Sequence, residues 1–174
     1  MNYLLSLPTH YETNMDKREQ YEQFLPQLQA LIDPEQDTIS ILANVSAALH
    51  AEFGWFWTGF YLVGKDNLLH LGPFQGTVAC YTIPFGRGVC GTAWKQQETL
   101  VVKDVEEFHG HIACSSLSRS EIVVPIFDAQ HNVVAVLDID SKEVGTFDEI
   151  DKEYLEKAMI MFCQVKDEIL RDRR

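Results

Sequence analysis

The feature that most constrains the fold is a pair of apolar stretches separated by a short polar turn. The first runs from Ser120 to Phe127 and the second from Asn132 to Asp140, with Asp128 to His131 between them. The second stretch alternates with a period of two residues, as expected for a β-strand whose successive side chains point to opposite faces of a sheet. The sequence therefore predicts an antiparallel β-hairpin.

The same period predicts which side chains of the second strand share a face. One face carries Val134, Val136, Asp138 and Asp140. The other face carries Val133, Ala135, Leu137 and Ile139. Two carboxylates are therefore predicted to point in the same direction.

The turn length predicts how the two strands pair. If Phe127 pairs with Asn132 across a four-residue loop, Glu121 lies opposite Asp138, with Cβ atoms about 4.5 to 5.5 Å apart. The hairpin is then expected to gather Glu121, Asp138 and Asp140 beside the loop that carries Cys114.

Composition narrows the functional classes. The 174 residues, 46% hydrophobic and 23% charged, are typical of a globular protein, and we expect a single domain over residues 1–174. A net charge of minus 12 argues against nucleic-acid binding, since no basic cluster precedes Arg171 to Arg174. There is no run of about 18 apolar residues to cross a membrane, and the N-terminus has no basic region. We therefore expect a cytosolic protein, in a compartment where thiols are kept reduced, and expect its four cysteines to be reactive, metal-binding or buried and not permanently bridged.

The remaining pattern predicts an α+β fold. Helices are expected over residues 15–53, where Pro26 is expected to kink or divide the first helix, and Asp37 and Gly54 to bound the second. Residues 1–14 are expected to form an N-terminal arm. The sheet and its loops are expected over residues 55–140, and a final helix with a Thr146–Glu149 capping box over residues 147–172. The predicted strands before the hairpin are Trp55–Val63, Leu68–Leu71, Thr77–Ile83 and Thr99–Val102.

Three of the four cysteines lie where reactive residues are common. Cys80 is at a predicted strand end, Cys90 in a glycine-rich turn that opens a short helix, and Cys114 in the long loop between Asp104 and Ser118. Cys163 lies beside the apolar stripe of the final helix and is expected to be a core residue. The helix start favours a thiolate at Cys90, whereas three nearby acids oppose ionisation of Cys114.

Two kinds of chemistry resolve that conflict between a thiol and several acids. One is a metal site formed by His109, His111, Cys114 and a second cysteine, although the spacing matches no zinc signature. The other is a thiol reaction on a neutral substrate that needs a proton. A sulfoxide is such a substrate, because its oxygen must be protonated as it leaves, and clustered carboxylates keep one member protonated near neutral pH.

Structural roles are the alternative for the same side chains. Asp138 and Asp140 can bond the following loop, and Glu121 can pair with Arg119 or Lys142. Trp57 and Tyr61 share a strand face, so they are either core aromatics or the wall of one cavity.

Five short motifs in order resemble the GAF-domain family of free methionine-(R)-sulfoxide reductases, from about Tyr11 to the last helix. They are Trp57-Thr-Gly-Phe-Tyr61, Gly86-Arg-Gly-Val-Cys90-Gly-Thr-Ala, His109-Gly-His-Ile-Ala-Cys114, Ser120-Glu-Ile-Val-Val-Pro125 and Val136-Leu-Asp-Ile-Asp-Ser141. The resemblance implies a GAF-like fold with a mostly antiparallel sheet, covered by N-terminal helices and a C-terminal helix. It also implies reduction of free methionine-(R)-sulfoxide without a cofactor or metal.

By this resemblance Cys114 attacks the sulfoxide and becomes a sulfenic acid. Cys80, with Cys90 as a second partner, then forms a disulfide that thioredoxin reduces. Glu121, Asp138 and Asp140 would bind the substrate and supply the proton, and Trp57 and Tyr61 would contact its side chain. Relatives usually have an aspartate after the reactive cysteine, where this chain has Ser115, so a negative charge is missing beside the thiol.

A GAF domain that binds a small ligand as a sensor is the main alternative function. A sensor has no need of three loop cysteines, whereas a two-step thiol reductase has. The oligomeric state stays open, with a homodimer as one alternative.

Overall fold

The computed structural model describes residues 16–33, 36–112 and 114–171, with side chains described as far as residue 161. The predicted arm over residues 1–14 and the side chain of Cys163 lie outside these described parts. The helices are α1 (Lys17–Leu31), α2 (Thr38–Phe53), α3 (Gly88–Gln96) and α4 (Glu149–Arg171). The strands are β1 (Trp57–Val63), β2 (Leu68–Gln75), β3 (Thr82–Pro84), β4 (Leu100–Val102), β5 (Ser120–Phe127) and β6 (Val133–Ser141).

The six strands form one antiparallel sheet in the order β3-β2-β1-β6-β5-β4, which confirms the predicted α+β class. Helices α1, α2 and α4 bury one face of the sheet, against residues such as Phe60, Ile122 and Leu137. Helix α3 and the loops bury part of the other face, around Trp57 and Val136. Within the described residues no helix combines the length and the apolar character that a membrane crossing requires.

The hairpin forms, but its register differs from the prediction. Phe127 pairs with Val133 instead of Asn132, because Asp128 accepts hydrogen bonds from the backbone of Gln130 and Asn132 and so closes a longer turn. A bulge next to Phe127 adds a second shift, so Glu121 lies opposite Asp140 and not Asp138.

The bulge also changes which valines share a face with the acids. Val134 packs into the cluster under the helices, and Val133 into the cluster on the opposite side of the sheet, so both were predicted on the wrong face. The two shifts together move the register by two residues, which preserves the parity of the strands. Glu121, Asp138 and Asp140 therefore still share one face.

Two of the predicted helix boundaries are confirmed, and of the two effects predicted for Pro26, a kink or a division of the helix, the division does not occur. Asp37 caps α2 by accepting hydrogen bonds from the backbone of Ile39 and Ser40, and Gly54 ends that helix in the left-handed conformation. Pro26 does not divide α1, which runs through it and keeps Tyr21, Phe24 and Leu28 buried.

The capping box of α4 is formed by a different pair of residues. Asp148 accepts hydrogen bonds from the backbone of Ile150 and Asp151, and the Asp151 carboxylate accepts one from the backbone of Asp148 at 2.9 Å. Thr146 instead donates its hydroxyl hydrogen to Ser141 and Glu143. The Asp151 carboxylate is fixed by long-range bonds from Lys17 and Tyr21, which explains why it replaces Glu149.

The predicted strand over residues 77–83 is mostly wrong, because β3 covers only Thr82–Pro84, while β2 extends to Gln75. Side chains of β1 donate hydrogen bonds to backbone carbonyl groups of the segment before β3. The Trp57 indole donates to the Thr77 carbonyl at 2.9 Å, and the Tyr61 hydroxyl donates to the Cys80 carbonyl at 3.1 Å. Residues 77–80 are thus held by aromatic side chains instead of a strand partner.

Gly59 has the close approach predicted for a glycine inside a strand. It lies opposite both Phe74 and Asp138, and a Cβ added there would lie 2.6 Å from the Trp57 ring. We expect Gly59→Ala to lower the free energy of unfolding by about 3 kcal/mol, because extra atoms in a packed core force its neighbours to move. Urea denaturation measures this change.

Gly54→Ala is the control for this prediction. Gly54 has a φ of 66° but open space around it, so alanine there should cost only the left-handed backbone strain of about 1 kcal/mol. Equal losses for the two variants would contradict the close packing at Gly59.

Candidate active site

A small cavity lies on the sheet face opposite the three large helices. It holds about 30 Å³, enough for a water molecule or two. Its walls come from β1, the segment before β3, the start of α3, the 112–118 loop and the hairpin. They include Trp57, Tyr61, Cys90, Cys114, Glu121, Asp138 and Asp140. The structure thus brings together the predicted catalytic and substrate-binding residues, with Cys80 next to the lining residue Ala79.

The three acids lie side by side on the floor of this cavity. Glu121 and Asp138 are buried, and Asp140 is nearly so. The Cys90 Sγ lies 3.9 Å from Glu121 Oε1. Within the described part of the chain, Asp138 Oδ1 is buried without a hydrogen-bond partner. An orphaned buried carboxylate oxygen is costly, so it marks a position where a ligand or water would bind.

Burial and the charges of neighbouring carboxylates favour the protonated forms of Glu121 and Asp138. Loss of hydration raises the pKa of Glu121 and of Asp138 well above their usual values, and the neighbouring carboxylates raise them further. Burial also raises the pKa of Asp140 to about 6, although a hydrogen bond with Ser118 partly offsets it. The cluster therefore offers protons at neutral pH.

Cys90 behaves differently from the prediction based on its helix start. It lies in the first turn of α3, yet its side chain is buried, and burial followed by the charges of Asp138 and Glu121 raises the pKa of its thiol. Desolvation and like charge outweigh the helix dipole here, since the dipole contributes only about 0.3 to 1 kcal/mol. The predicted thiolate at Cys90 is therefore wrong.

Cys80 and Cys114 are joined by a disulfide bond, with Cα atoms 5.4 Å apart. Both residues are half-buried at the rim of the cavity, unlike Cys90. A surface-accessible disulfide beside buried acids is an arrangement that an oxidised thiol enzyme would have.

The metal site considered as an alternative, formed by His109, His111, Cys114 and a second cysteine, does not assemble. The Cys114 sulfur is bonded to Cys80, and His109 is exposed. His111 instead places its Nε2 atom 3.8 Å from Glu121 Oε2, and burial lowers the pKa of its imidazole. Across the described residues, the side chains close enough to share a cation are those of Cys90, Glu121 and Asp138.

The structural roles considered for Glu121 do not apply either. Arg119 places its guanidinium 3.4 Å from Asp104, and the Lys142 ammonium lies over the Phe56 ring. Both cations are thus engaged away from Glu121. Neither cation therefore pairs with the acid cluster, which lines the cavity.

Trp57 and Tyr61 form one wall, with ring centroids 6.1 Å apart. Burial, followed by the charge of Asp138, raises the pKa of the Tyr61 hydroxyl, which stays protonated and donates to the Cys80 carbonyl. The two rings therefore line the cavity and also position the segment that carries Cys80.

Two serines of the site were not predicted as functional residues. Ser118 is buried and bonds Asp140, and Ser115 lines the cavity while its hydroxyl accepts a hydrogen bond from the backbone of Leu117. Serines of a polar loop carry no periodic signal, so only the tertiary structure identifies them.

Comparison with known proteins places this geometry in a family. A GAF-domain family model matches residues 33–159. A GAF domain-containing protein A of Dictyostelium discoideum is 57% identical over 82% of this chain and 90% of its own. A free methionine-R-sulfoxide reductase of Saccharomyces cerevisiae is 42% identical over 85% of this chain and 86% of its own. The chain belongs to the GAF-domain family of free methionine-R-sulfoxide reductases.

A solved member of this family has the same architecture. The free methionine-R-sulfoxide reductase of Neisseria meningitidis, in complex with its substrate, superposes with a TM-score of 0.87 and 46% identity. The superposition covers 95% of this chain and 98% of that one. The GAF fold of the family is therefore confirmed for this chain.

The raised pKa of Asp140 predicts a specific pH dependence of stability. Between pH 3.8 and about 6 the folded protein keeps the Asp140 proton, whereas the unfolded chain loses it. The contribution of the protonated Asp140 to the free energy of unfolding is therefore complete below pH 3.8 and declines as the pH rises to about 6. We expect Asp140→Asn to remove that decline, a difference of about 2 to 3 kcal/mol from the wild type. Chemical denaturation at pH 4 to 7 measures it, with the exposed Glu98→Gln as control. Parallel pH profiles of the wild type and Asp140→Asn would rule out a protonated Asp140.

Proposed function

We propose that this protein reduces free L-methionine-(R)-sulfoxide to methionine, with Cys114 as the nucleophile, Cys80 as the resolving cysteine and thioredoxin as the reductant. Its family is one of oxidoreductases that act on methionine R-sulfoxide. The observation that carries the mechanism is the disulfide between Cys80 and Cys114 at the rim of an acid-lined cavity.

The first step forms methionine. The Cys114 sulfur attacks the sulfoxide sulfur and forms a sulfur–sulfur bond, while a protonated carboxyl of the Glu121–Asp138 pair donates its proton to the sulfoxide oxygen. The resulting hydroxyl group then moves from the methionine sulfur to the Cys114 sulfur as the sulfur–sulfur bond breaks, so that methionine departs and Cys114 is left as a sulfenic acid. The substrate gains two electrons and the cysteine loses them. The proton of the Cys114 thiol restores the carboxyl group.

The second step forms the disulfide. The Cys80 sulfur attacks the Cys114 sulfenic acid, and the oxygen leaves as water with the thiol proton of Cys80. A dithiol then returns two electrons and two protons to the pair. The bonded Cys80 and Cys114 support this choice over Cys90, whose thiol is buried against Glu121. A thioredoxin-dependent cycle fits the cytosolic setting expected from the sequence.

The cavity supports a free amino acid as the substrate. Its described lining contains three acids and no lysine or arginine, which suits the positively charged α-ammonium group of a free amino acid. A methionine within a protein has no such group, because its nitrogen is part of a peptide bond. At about 30 Å³ it is far smaller than the roughly 300 Å³ of a typical ligand site. We infer that the disulfide form is closed and that substrate enters after the disulfide is reduced.

The substrate prediction is tested with four compounds in the presence of dithiothreitol. We expect methionine from the free R-sulfoxide, and rates at least about tenfold lower for the S epimer, the N-acetylated R-sulfoxide and an oxidised protein. Methionine formation is measured by chromatography. Comparable rates on oxidised protein would refute a free amino acid as the substrate. No turnover of any compound, with binding of a small ligand instead, would favour the sensor alternative.

The cysteine roles predict different outcomes in single and multiple turnovers. One methionine per enzyme requires only the nucleophile, whereas cycling with thioredoxin requires a disulfide. We expect Cys114→Ser to form no methionine, Cys80→Ser to form one but to cycle poorly with thioredoxin, and Cys163→Ser to match the wild type. Rapid-quench measurement of methionine per enzyme checks this.

Cys90→Ser separates the two candidates for the resolving residue. It should cycle with thioredoxin if Cys80 resolves the sulfenic acid. Normal cycling by Cys80→Ser together with failure of Cys90→Ser would transfer the resolving role to Cys90. One methionine per enzyme from Cys114→Ser would disprove the nucleophile.

A further inference from the structure

Exposed apolar side chains are concentrated around the disulfide. Among the described residues, Val78 is 87% exposed, Tyr81 is 86% exposed and Leu117 is 51% exposed. Val78 and Tyr81 flank Cys80, and Leu117 follows Cys114 by three positions. We call these three side chains the rim patch. A cluster of exposed apolar groups in a monomer commonly marks an interaction site.

The disulfide keeps the members of the rim patch close to one another. The Cα atoms of Cys80 and Cys114 are 5.4 Å apart. Consecutive Cα atoms are about 3.8 Å apart, so Tyr81 and Leu117 lie within about 20 Å of each other. A patch of this width fits inside one small protein interface, about 800 Å² per partner or less for transient redox encounters.

The two chain segments that carry the rim patch lack charged side chains. Residues 76–86 and 114–118 contain no acidic or basic side chain, in a protein with a net charge of minus 12. Depletion of charge with an exposed aromatic residue is the composition of an interface core, not of an ordinary surface loop. The rim patch therefore lies on two uncharged segments of an acidic protein.

We propose that the rim patch is the docking surface for the dithiol protein that reduces the Cys80–Cys114 disulfide. The inference rests on the proposed function, because it names the contact surface of its reductant. Contact with a small substrate does not explain the whole patch, since Val78 lines the cavity but Tyr81 and Leu117 do not.

Docking at this place orients the exchange reaction. A thiolate of the bound partner attacks one sulfur of the half-buried pair, forming a mixed disulfide and releasing the other cysteine as a thiolate that takes up a proton. The second thiol of the partner then attacks the mixed disulfide. The partner leaves as a disulfide, having lost two electrons, and both cysteines of this chain end as thiols.

The test compares a protein reductant with a small one. The double variant Tyr81→Ser, Leu117→Ser is assayed with thioredoxin, thioredoxin reductase and NADPH, and separately with dithiothreitol, which needs no docking surface. We expect kcat/KM for thioredoxin to fall at least about tenfold, as for loss of central interface residues, while the dithiothreitol-dependent rate stays within about twofold of the wild type.

A matched control uses exposed apolar side chains elsewhere. Val144 is 51% exposed and Ile160 is 57% exposed, and neither flanks a cysteine of the disulfide. The double variant Val144→Ser, Ile160→Ser should keep wild-type rates with both reductants. An equal loss of thioredoxin-dependent rate in both double variants would overturn the proposal, because general surface apolarity would then explain it.

Three further outcomes would also overturn the proposal. The first is an unchanged thioredoxin-dependent rate in the rim variant, and the second is an equal loss of rate with both reductants. The third is a change of the rim variant from dimer to monomer in sedimentation equilibrium, which would make the patch a contact between copies of this chain. Failure of the wild type itself with dithiothreitol would instead disprove the proposed function, so the two failures are distinguishable.

Discussion

Burial of three carboxyl groups beside a thiol is the constraint on which the rest of the site depends. Glu121, Asp138 and Cys90 share one cavity, and the described lining includes no lysine or arginine to balance them. Like groups this close cannot all ionise at acceptable cost, so their pKa values rise and they hold protons. The cavity is thus suited to delivering protons, while Cys114, the proposed nucleophile, lies at the half-buried rim.

The sequence predicted this cluster correctly because two one-residue shifts of the register together leave the three acids on their predicted shared face of the sheet. The turn is longer than expected and β6 carries a bulge, and each alone would have moved Glu121 to the face under the helices. Together they shift the register by two residues, so Glu121 pairs with Asp140 and stays on the cavity side. Alternation therefore identified the shared face of the acids, whereas the pairing partner depended on Asp128 hydrogen bonds that periodicity does not encode.

Long-range hydrogen bonds explain most of what the sequence did not predict. The β-branched composition of residues 77–83 favours a strand, but Trp57 and Tyr61 bind the carbonyls of Thr77 and Cys80 and leave only a short β3. The start of α4 shows the same effect, since Lys17 and Tyr21 from α1 fix Asp151. Local propensity cannot include partners that are distant in the chain. The GAF resemblance supplied the cysteine pairing that local patterns left open.

The aromatic wall connects substrate access with the redox state. Tyr61 lines the cavity and holds the Cys80 carbonyl, and Cys80 is bonded to Cys114, so the segments on both sides of the entrance form one unit while the disulfide lasts. A cavity of about 30 Å³ cannot admit an amino acid until one of these segments moves. Breaking the sulfur–sulfur bond frees the 114–118 loop from Cys80, whereas residues 77–80 keep their bonds to β1. Opening is therefore expected on the Cys114 side, which would move the proposed nucleophile and the entrance together.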